Sequence, residues 1–297
     1  MRSFRSLFTM ALLAGSAACA SHPRSPASPV APPPAPTAPA AGSAHFSSSG
    51  DCDGVKGTSE TAALYEKACN AKDWAGCFEL GKLLWCGAGT ARDPARSVRV
   101  SEQACDGGVV AACANAGLGS LTAGDPARAF PYADKGCRGG DSVSCNSVAL
   151  MLWQGAGTAP NAQRAAQIFG ELCDKGNMMS CGNLGTMLWV GAGVAKDVVR
   201  ARELASRACD ANITGGCNTL GAVLMGEGPT GIAKGVAIFD KICSVGDASA
   251  CDNLGQVLAG PAAGDPNAHD RALAAFKRAC DMDFAKACTH LAQLKSQ

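Results

Sequence analysis

Two cysteines with seven residues between them recur seven times in this sequence: Cys69 and Cys77, Cys105 and Cys113, Cys137 and Cys145, Cys173 and Cys181, Cys209 and Cys217, Cys243 and Cys251, and Cys280 and Cys288. Thiols offer three chemistries: nucleophilic or redox work by a thiolate, metal binding, and disulfide formation. Zinc sites favour ligands two to four residues apart, so the wider spacing argues against a metal. A disulfide needs Cα atoms within roughly 7 Å. Residues eight apart on one straight helix stand about 12 Å apart at ~1.5 Å rise per residue, so a helix must break between the two cysteines. Turn-forming residues supply the break: Gly107 and Gly108, Gly139 and Gly140, Gly176 and Asn177, Asn212, and Gly246 and Asp247. Each pair is therefore expected as a disulfide that staples the end of one helix to the start of the next. In the chain-entropy picture each such short closure stabilises by about 2.5 kcal/mol.

The first cysteines of the pairs recur every 32 to 37 residues, which makes the chain a repeat array. Four positions after each second cysteine stands one of the two smallest residues: Gly81, Gly117, Ala149, Gly185, Gly221, Gly255 and Ala292. Glycine inside a helix costs up to ~1 kcal/mol, so these positions predict close helix crossings. Leucines one position before and three after, such as Leu184 and Leu188, draw an apolar helical face. The outgoing helices end at glycine-rich turns, Gly87-Ala88-Gly89, Gly155-Ala156-Gly157, Gly191-Ala192-Gly193 and Gly226-Glu227-Gly228, which read as helix C-caps rather than phosphate cradles. Return helices are expected to begin near Asp93-Pro94, Asp125-Pro126, Asn161, Asp197, Thr230 and Asp270. One repeat departs from the rest: it is short between Gly119 and Asp125 and carries Pro131 inside its return helix, where a kink is expected. The last helix puts Lys295 where its sisters have leucine, a polar end cap. The fold class expected is all-α, an α-solenoid of antiparallel helix pairs with about seven disulfide-stapled repeats. Cys52 and Cys86 lie outside the sevenfold pattern. Pairing them would fasten the N-terminal segment over the first helix pair, and the alternatives are two free thiols or an intermolecular bridge.

The N-terminus reads as an export signal, with Arg2 and Arg5 before an apolar stretch from Leu7 to Leu13 that is too short to span a membrane. It ends Ser16-Ala17-Ala18-Cys19, which resembles a bacterial lipoprotein signal with Cys19 as the lipidated residue, although Ser16 stands where leucine is usual. A cut after Ala20 would instead release a soluble protein. Residues 20–50 are rich in proline, alanine and serine and read as a semi-extended tether, leaving 51–297 for the array. Seventeen cysteines in an exported chain fit an oxidising compartment. The expected location is a periplasm-facing or surface lipoprotein of the outer membrane, with secreted soluble protein as the alternative. A net charge of +1 gives no field for nucleic acid or an anionic membrane, so membrane contact is expected only through the lipid at Cys19.

The run from Cys181 through Gly182-Asn183-Leu184-Gly185 to Gly191-Ala192-Gly193 and Asp197, with Ala201 and a close at Ala208-Cys209-Asp210, resembles the Sel-one-like repeat, a relative of the tetratricopeptide repeat. The added cysteine pair resembles its cysteine-rich secreted bacterial subfamily. The likeness covers Ser59 to about Lys295 and is strongest from Gln163 to Leu258, with Trp189 after Leu188 and the lost Gly-x-Gly turn near Ala123 as departures. It implies a right-handed solenoid with a concave face and a role in binding proteins or peptides. It also implies, through some subfamily members, penicillin binding or β-lactam hydrolysis.

A serine β-lactamase needs Ser-x-x-Lys, Ser-Asp-Asn and Lys-Thr-Gly elements, and none occurs in the sequence. A metal-dependent one needs clustered histidines, but the chain has only His22, His45, His269 and His290. The chain therefore reads as a monomeric binding module without cofactor, metal or catalytic residues. The candidate surface is a column eight positions after the second cysteine, where Trp85, Trp153 and Trp189 stand, together with Asn115, Asn183 and Asn253 two positions after it. Indoles give large apolar area with one polar N–H, and the amides could pair with an extended peptide backbone. The opposing reading makes the tryptophans filling between repeats and the asparagines partners of nearby backbone. Solvent exposure of the indoles separates the two.

Overall fold

The computed structural model describes residue 52, residues 54–260 and residues 266–296. The signal, Cys19 and the tether lie outside the described residues. Among those described there are fourteen α-helices. They are α1 (Ser59–Asn70), α2 (Trp74–Cys86), α3 (Pro94–Asp106), α4 (Val110–Thr122), α5 (Pro126–Arg138), α6 (Ser142–Gln154) and α7 (Ala162–Asp174). The second half holds α8 (Met178–Val190), α9 (Val198–Asp210), α10 (Thr214–Leu224), α11 (Gly228–Ser244), α12 (Ala248–Leu258), α13 (Ala268–Asp281) and α14 (Ala285–Lys295). Each helix packs on its neighbour in sequence, and even-numbered helices also touch the next even-numbered one, as in α4 with α6 and α8 with α10. The result is an α-solenoid of helix hairpins.

Polar residues start the helices. Asp73, Asp141, Asn177 and Asp247 accept backbone N–H groups at the starts of α2, α6, α8 and α12, and Asp93, Asp125, Asn161 and Asp197 do so at α3, α5, α7 and α9. Thr58 opens α1 with a capping box. Two starts differ from the sequence expectation. Helix α11 begins at Gly228 rather than Thr230, because Pro229 sits in its first turn where a missing N–H costs nothing, and α13 begins at Ala268 rather than Asp270. Helix α5 runs unbroken from Pro126 to Arg138 through Pro131.

Between an odd helix and the following even one, the chain turns tightly and the sulfurs meet. The seven short pairs bring their Cα atoms to 4.3–4.7 Å, and Cys52 and Cys86 stand at 5.6 Å, each at disulfide-bonding distance. Between an even helix and the following odd one, the small residues admit close crossing. A methyl group on Gly117 would stand 3.2 Å from the backbone nitrogen of Ala133 in α5, and one on Gly185 would stand 3.2 Å from the carbonyl of Ala201 in α9. At the equivalent crossing of α2 with α3, the Ser97 hydroxyl donates to the Gly81 carbonyl at 2.7 Å.

The two rows of helices differ in kind. Even helices are buried around most of their girth: every residue from Ser180 to Leu188 in α8 is buried, as is every residue from Ala112 to Ser120 in α4. Odd helices are amphipathic and carry the charged face. Ion pairs run along that face from repeat to repeat, with Arg96 on Glu66, Arg128 on Glu102 at 2.6 Å, Lys135 on Asp106 at 3.0 Å and Arg271 on Asp240 at 3.7 Å. Exposed pairs of this sort are worth less than about 1 kcal/mol each. No described helix is long and apolar enough to cross a membrane.

Candidate functional site

The column of residues expected to face a ligand starts from the even helices, and their composition decides its fate. Glycine, alanine, serine and asparagine are small enough for neighbouring even helices to approach closely, so positions near the second cysteine fall between repeats. Asn115 is 0% exposed, Asn183 8% and Asn253 7%. The expectation that these amides line an open groove is therefore corrected: none presents a surface to a peptide.

Asn253 belongs instead to a buried polar ladder between even helices. From α6 to α8 the Ser180 hydroxyl donates to the Asn146 carbonyl oxygen at 3.1 Å. From α8 to α10 the hydroxyls of Thr186 and Thr219 pair at 2.6 Å. From α10 to α12 the Asn218 amide donates to the Asp247 carboxylate at 3.2 Å and the Ser249 hydroxyl at 3.1 Å, while its oxygen accepts from Asn253 at 3.4 Å. From α12 to α14 His290 Nδ1 meets the Asp252 carboxylate at 2.7 Å, and Gln256 donates to the other carboxylate oxygen at 2.8 Å. Buried polar groups are costly unless paired, so each rung fixes the register of one repeat on the next. Sequence reasoning missed this ladder. Its signal was the polar residue directly after the second cysteine in three repeats, Asn146, Asn218 and Asp252.

The tryptophans divide. Trp85 is 3% exposed and is thus also removed from any open groove. It packs with Leu118, with Cys52 and Cys86 against the pair, so the bridge from the N-terminal segment helps to cover it. Arg92 lies 5.8 Å from its ring, and the Arg92 Nε–H donates to the Trp85 carbonyl at 3.0 Å. Trp153 and Trp189 are half-buried. Trp153 stands edge-on to Phe169 at 6.4 Å, and Trp189 packs against the apolar clusters on both sides of the α8–α10 boundary.

Beside Trp189 the surface turns apolar. Six large hydrophobic side chains are exposed among the described residues, and three of them, Val190, Val198 and Val199, flank the α8–α9 turn, with Val199 82% exposed. At the α3–α5 contact, both guanidinium arms of Arg128 reach Glu102, at 2.6 and 2.7 Å, and this hydrogen bond above all raises the Arg128 pKa from its ordinary value. Next to it Tyr132 is pushed up, first by burial and then by Glu102 and Asp106. Among the described residues no group of three or more His, Cys, Asp and Glu is placed to hold a metal ion.

The geometry can be set beside known proteins. The family model of the Sel1 repeat matches three stretches of the chain, residues 74–109, 142–177 and 179–213. These correspond to α2–α3, α6–α7 and α8–α9, and the repeat formed by α4 and α5 falls between the matches. Among solved structures, the chain resembles a protective antigen present in uropathogenic Escherichia coli strains that displays an SLR fold, with 22% identity and a TM-score of 0.58 over 77% of this chain and 50% of that one. It also resembles a Sel1 repeat protein from Oxalobacter formigenes, with 19% identity and a TM-score of 0.57 over 74% of this chain and 99% of that one. The chain thus spans half the length of the Escherichia coli antigen. No curated protein matches the sequence.

Proposed function

For a solenoid that carries Sel1 repeats, we propose the role of a scaffold that binds another protein or a peptide at the bacterial cell envelope. The observation that carries this reading is the clustering of half of the exposed large apolar side chains at one turn, next to the half-buried Trp189. Apolar groups gathered in this way, beside an amphipathic aromatic ring, favour a protein contact over solvent. Eight cysteine pairs at bonding distance suit an oxidising compartment. The Ser16-Ala17-Ala18-Cys19 run supports a lipid anchor at Cys19, and the proline-rich stretch behind it would hold the array away from the membrane.

A photoreactive amino acid placed at Val199 tests the contact. In the envelope fraction it is expected to yield a discrete crosslinked adduct that Val198→Asp removes, and the absence of any adduct would contradict the reading. Metabolic labelling with a radioactive fatty acid tests the anchor: label is expected on the wild-type protein and absent from Cys19→Ala. Purified oxidised protein is expected to leave a chromogenic β-lactam intact, and turnover would replace the scaffold reading with an enzymatic one.

A further inference from the structure

The glycine-rich turns have a second use besides ending a helix. Three of them lie on the start of the odd helix of the preceding repeat. A methyl group on Gly89, in the α2–α3 turn, would collide with the Thr58 carbonyl at the head of α1. One on Gly157, in the α6–α7 turn, would collide with Pro126 at the head of α5, and one on Gly193, in the α8–α9 turn, with Ala162 at the head of α7. The turn between α4 and α5 departs from this arrangement. It has lost the residues that form this cover, and a methyl group on its Gly124 would meet nothing within 4 Å. The head of α3 is therefore left open. The α10–α11 turn behaves in the same way, with nothing within 4 Å of Gly228, and there the uncovered helix head is Val198 and Val199.

At the head of α3 the missing cover leaves a cleft of about 580 Å³. Its apolar walls come from Pro94, Ala95 and Val98 of α3, Gly119 of α4 and the edge of Trp85. Arg92, Arg99 and Arg128 stand on its rim, with Asp125 as the carboxylate among the lining residues. Arg128 is committed to Glu102, and Asp125 to the cap of α5. Arg99 is exposed and makes no ion pair among the described residues. Ser120 lines the cleft as well, with its hydroxyl buried behind the cleft wall.

We infer that this cleft takes a short acidic peptide segment, with small residues in the place that a Gly-Ala-Gly turn fills in three other repeats and carboxylates against Arg92 and Arg99. The equivalent space at the turns of Gly89, Gly157 and Gly193 is filled by polypeptide of small residues, which sets the shape of the occupant. The rim fixes its charge, since arginine forks pair with carboxylates in two-pronged fashion. The inference rests on the peptide-binding reading above but assigns a different surface from the one at Val199.

The test is a fluorescence anisotropy titration of the oxidised protein with a fluorescein-labelled peptide that has a glycine–alanine–glycine centre and two glutamates on each side. Saturable binding is expected, weakened by salt. Arg99→Glu and Ala95→Trp, both at exposed positions, are expected to weaken it at least about tenfold while leaving the melting temperature unchanged, and Val199→Asp is expected to leave it intact. Equal affinity for a peptide with glutamines in place of the glutamates, undiminished binding by Arg99→Glu, or no binding would overturn the assignment. Self-association of the protein that Ala95→Trp abolishes would also overturn it, giving the cleft to a second copy of the chain. An adduct at Val199 without peptide binding keeps the scaffold role and removes only this site; peptide binding without the adduct does the reverse.

Discussion

Asn218 holds together three groups from the next repeat, the Asp247 carboxylate, the Ser249 hydroxyl and the Asn253 amide, at a position 4% exposed. Leucine at this position has similar bulk and no polar atom, so Asn218→Leu strands those partners in the seam between α10 and α12. The expected cost is about 1 to 3 kcal/mol in urea unfolding, whereas a change of the exposed Arg164 is expected within about 0.5 kcal/mol of wild type. At this scale the sequence was least legible. Asn115, Asn183 and Asn253 are polar at a repeated position, but polarity does not say which way a helix face points, and all three are buried among small residues. Trp85 was hidden by Cys52, whose partner across the chain spacing alone left open. Trp153 and Trp189 keep part of their surface.

Turns were legible as helix ends but not as lids. Gly87, Gly155 and Gly191 adopt the left-handed conformation that ends a helix, which their composition announces. That the neighbouring Gly89, Gly157 and Gly193 rest on the preceding repeat follows only from the stacking of hairpins. Two substitutions separate the roles. Gly193→Ala must take both a positive φ of 72° and a collision with Ala162, whereas Gly124→Ala must take only its φ of 78°. The second is expected to cost about 1 kcal/mol, and the first clearly more, with equal losses in thermal unfolding contradicting the lid. The staples are elements of the same rank. Replacing Cys137 and Cys145 together by serine is expected to remove about 2.5 kcal/mol, read as a lower urea midpoint with little loss of helical circular dichroism.

Across the molecule, the architecture is legible in the sequence periodicity because the same physical demands return in each repeat, a break between cysteines and a small residue at a crossing, with a polar cap at most helix starts. Where the chain departs from its own period, the departures were visible as missing residues, but the cleft and the bare helix head they leave needed three dimensions. A solenoid has no single central core, only contacts between neighbours. Covalent ties at every odd-to-even junction compensate for that, and they keep the repeats in the register on which both proposed binding surfaces depend. The most direct test of this stitching is alkylation of the oxidised protein in denaturant without reductant, followed by intact mass measurement. The sixteen cysteines of the array are expected to remain unmodified until reductant is added and then to react together. Alkylation of the fourteen repeat cysteines before reduction would contradict the account.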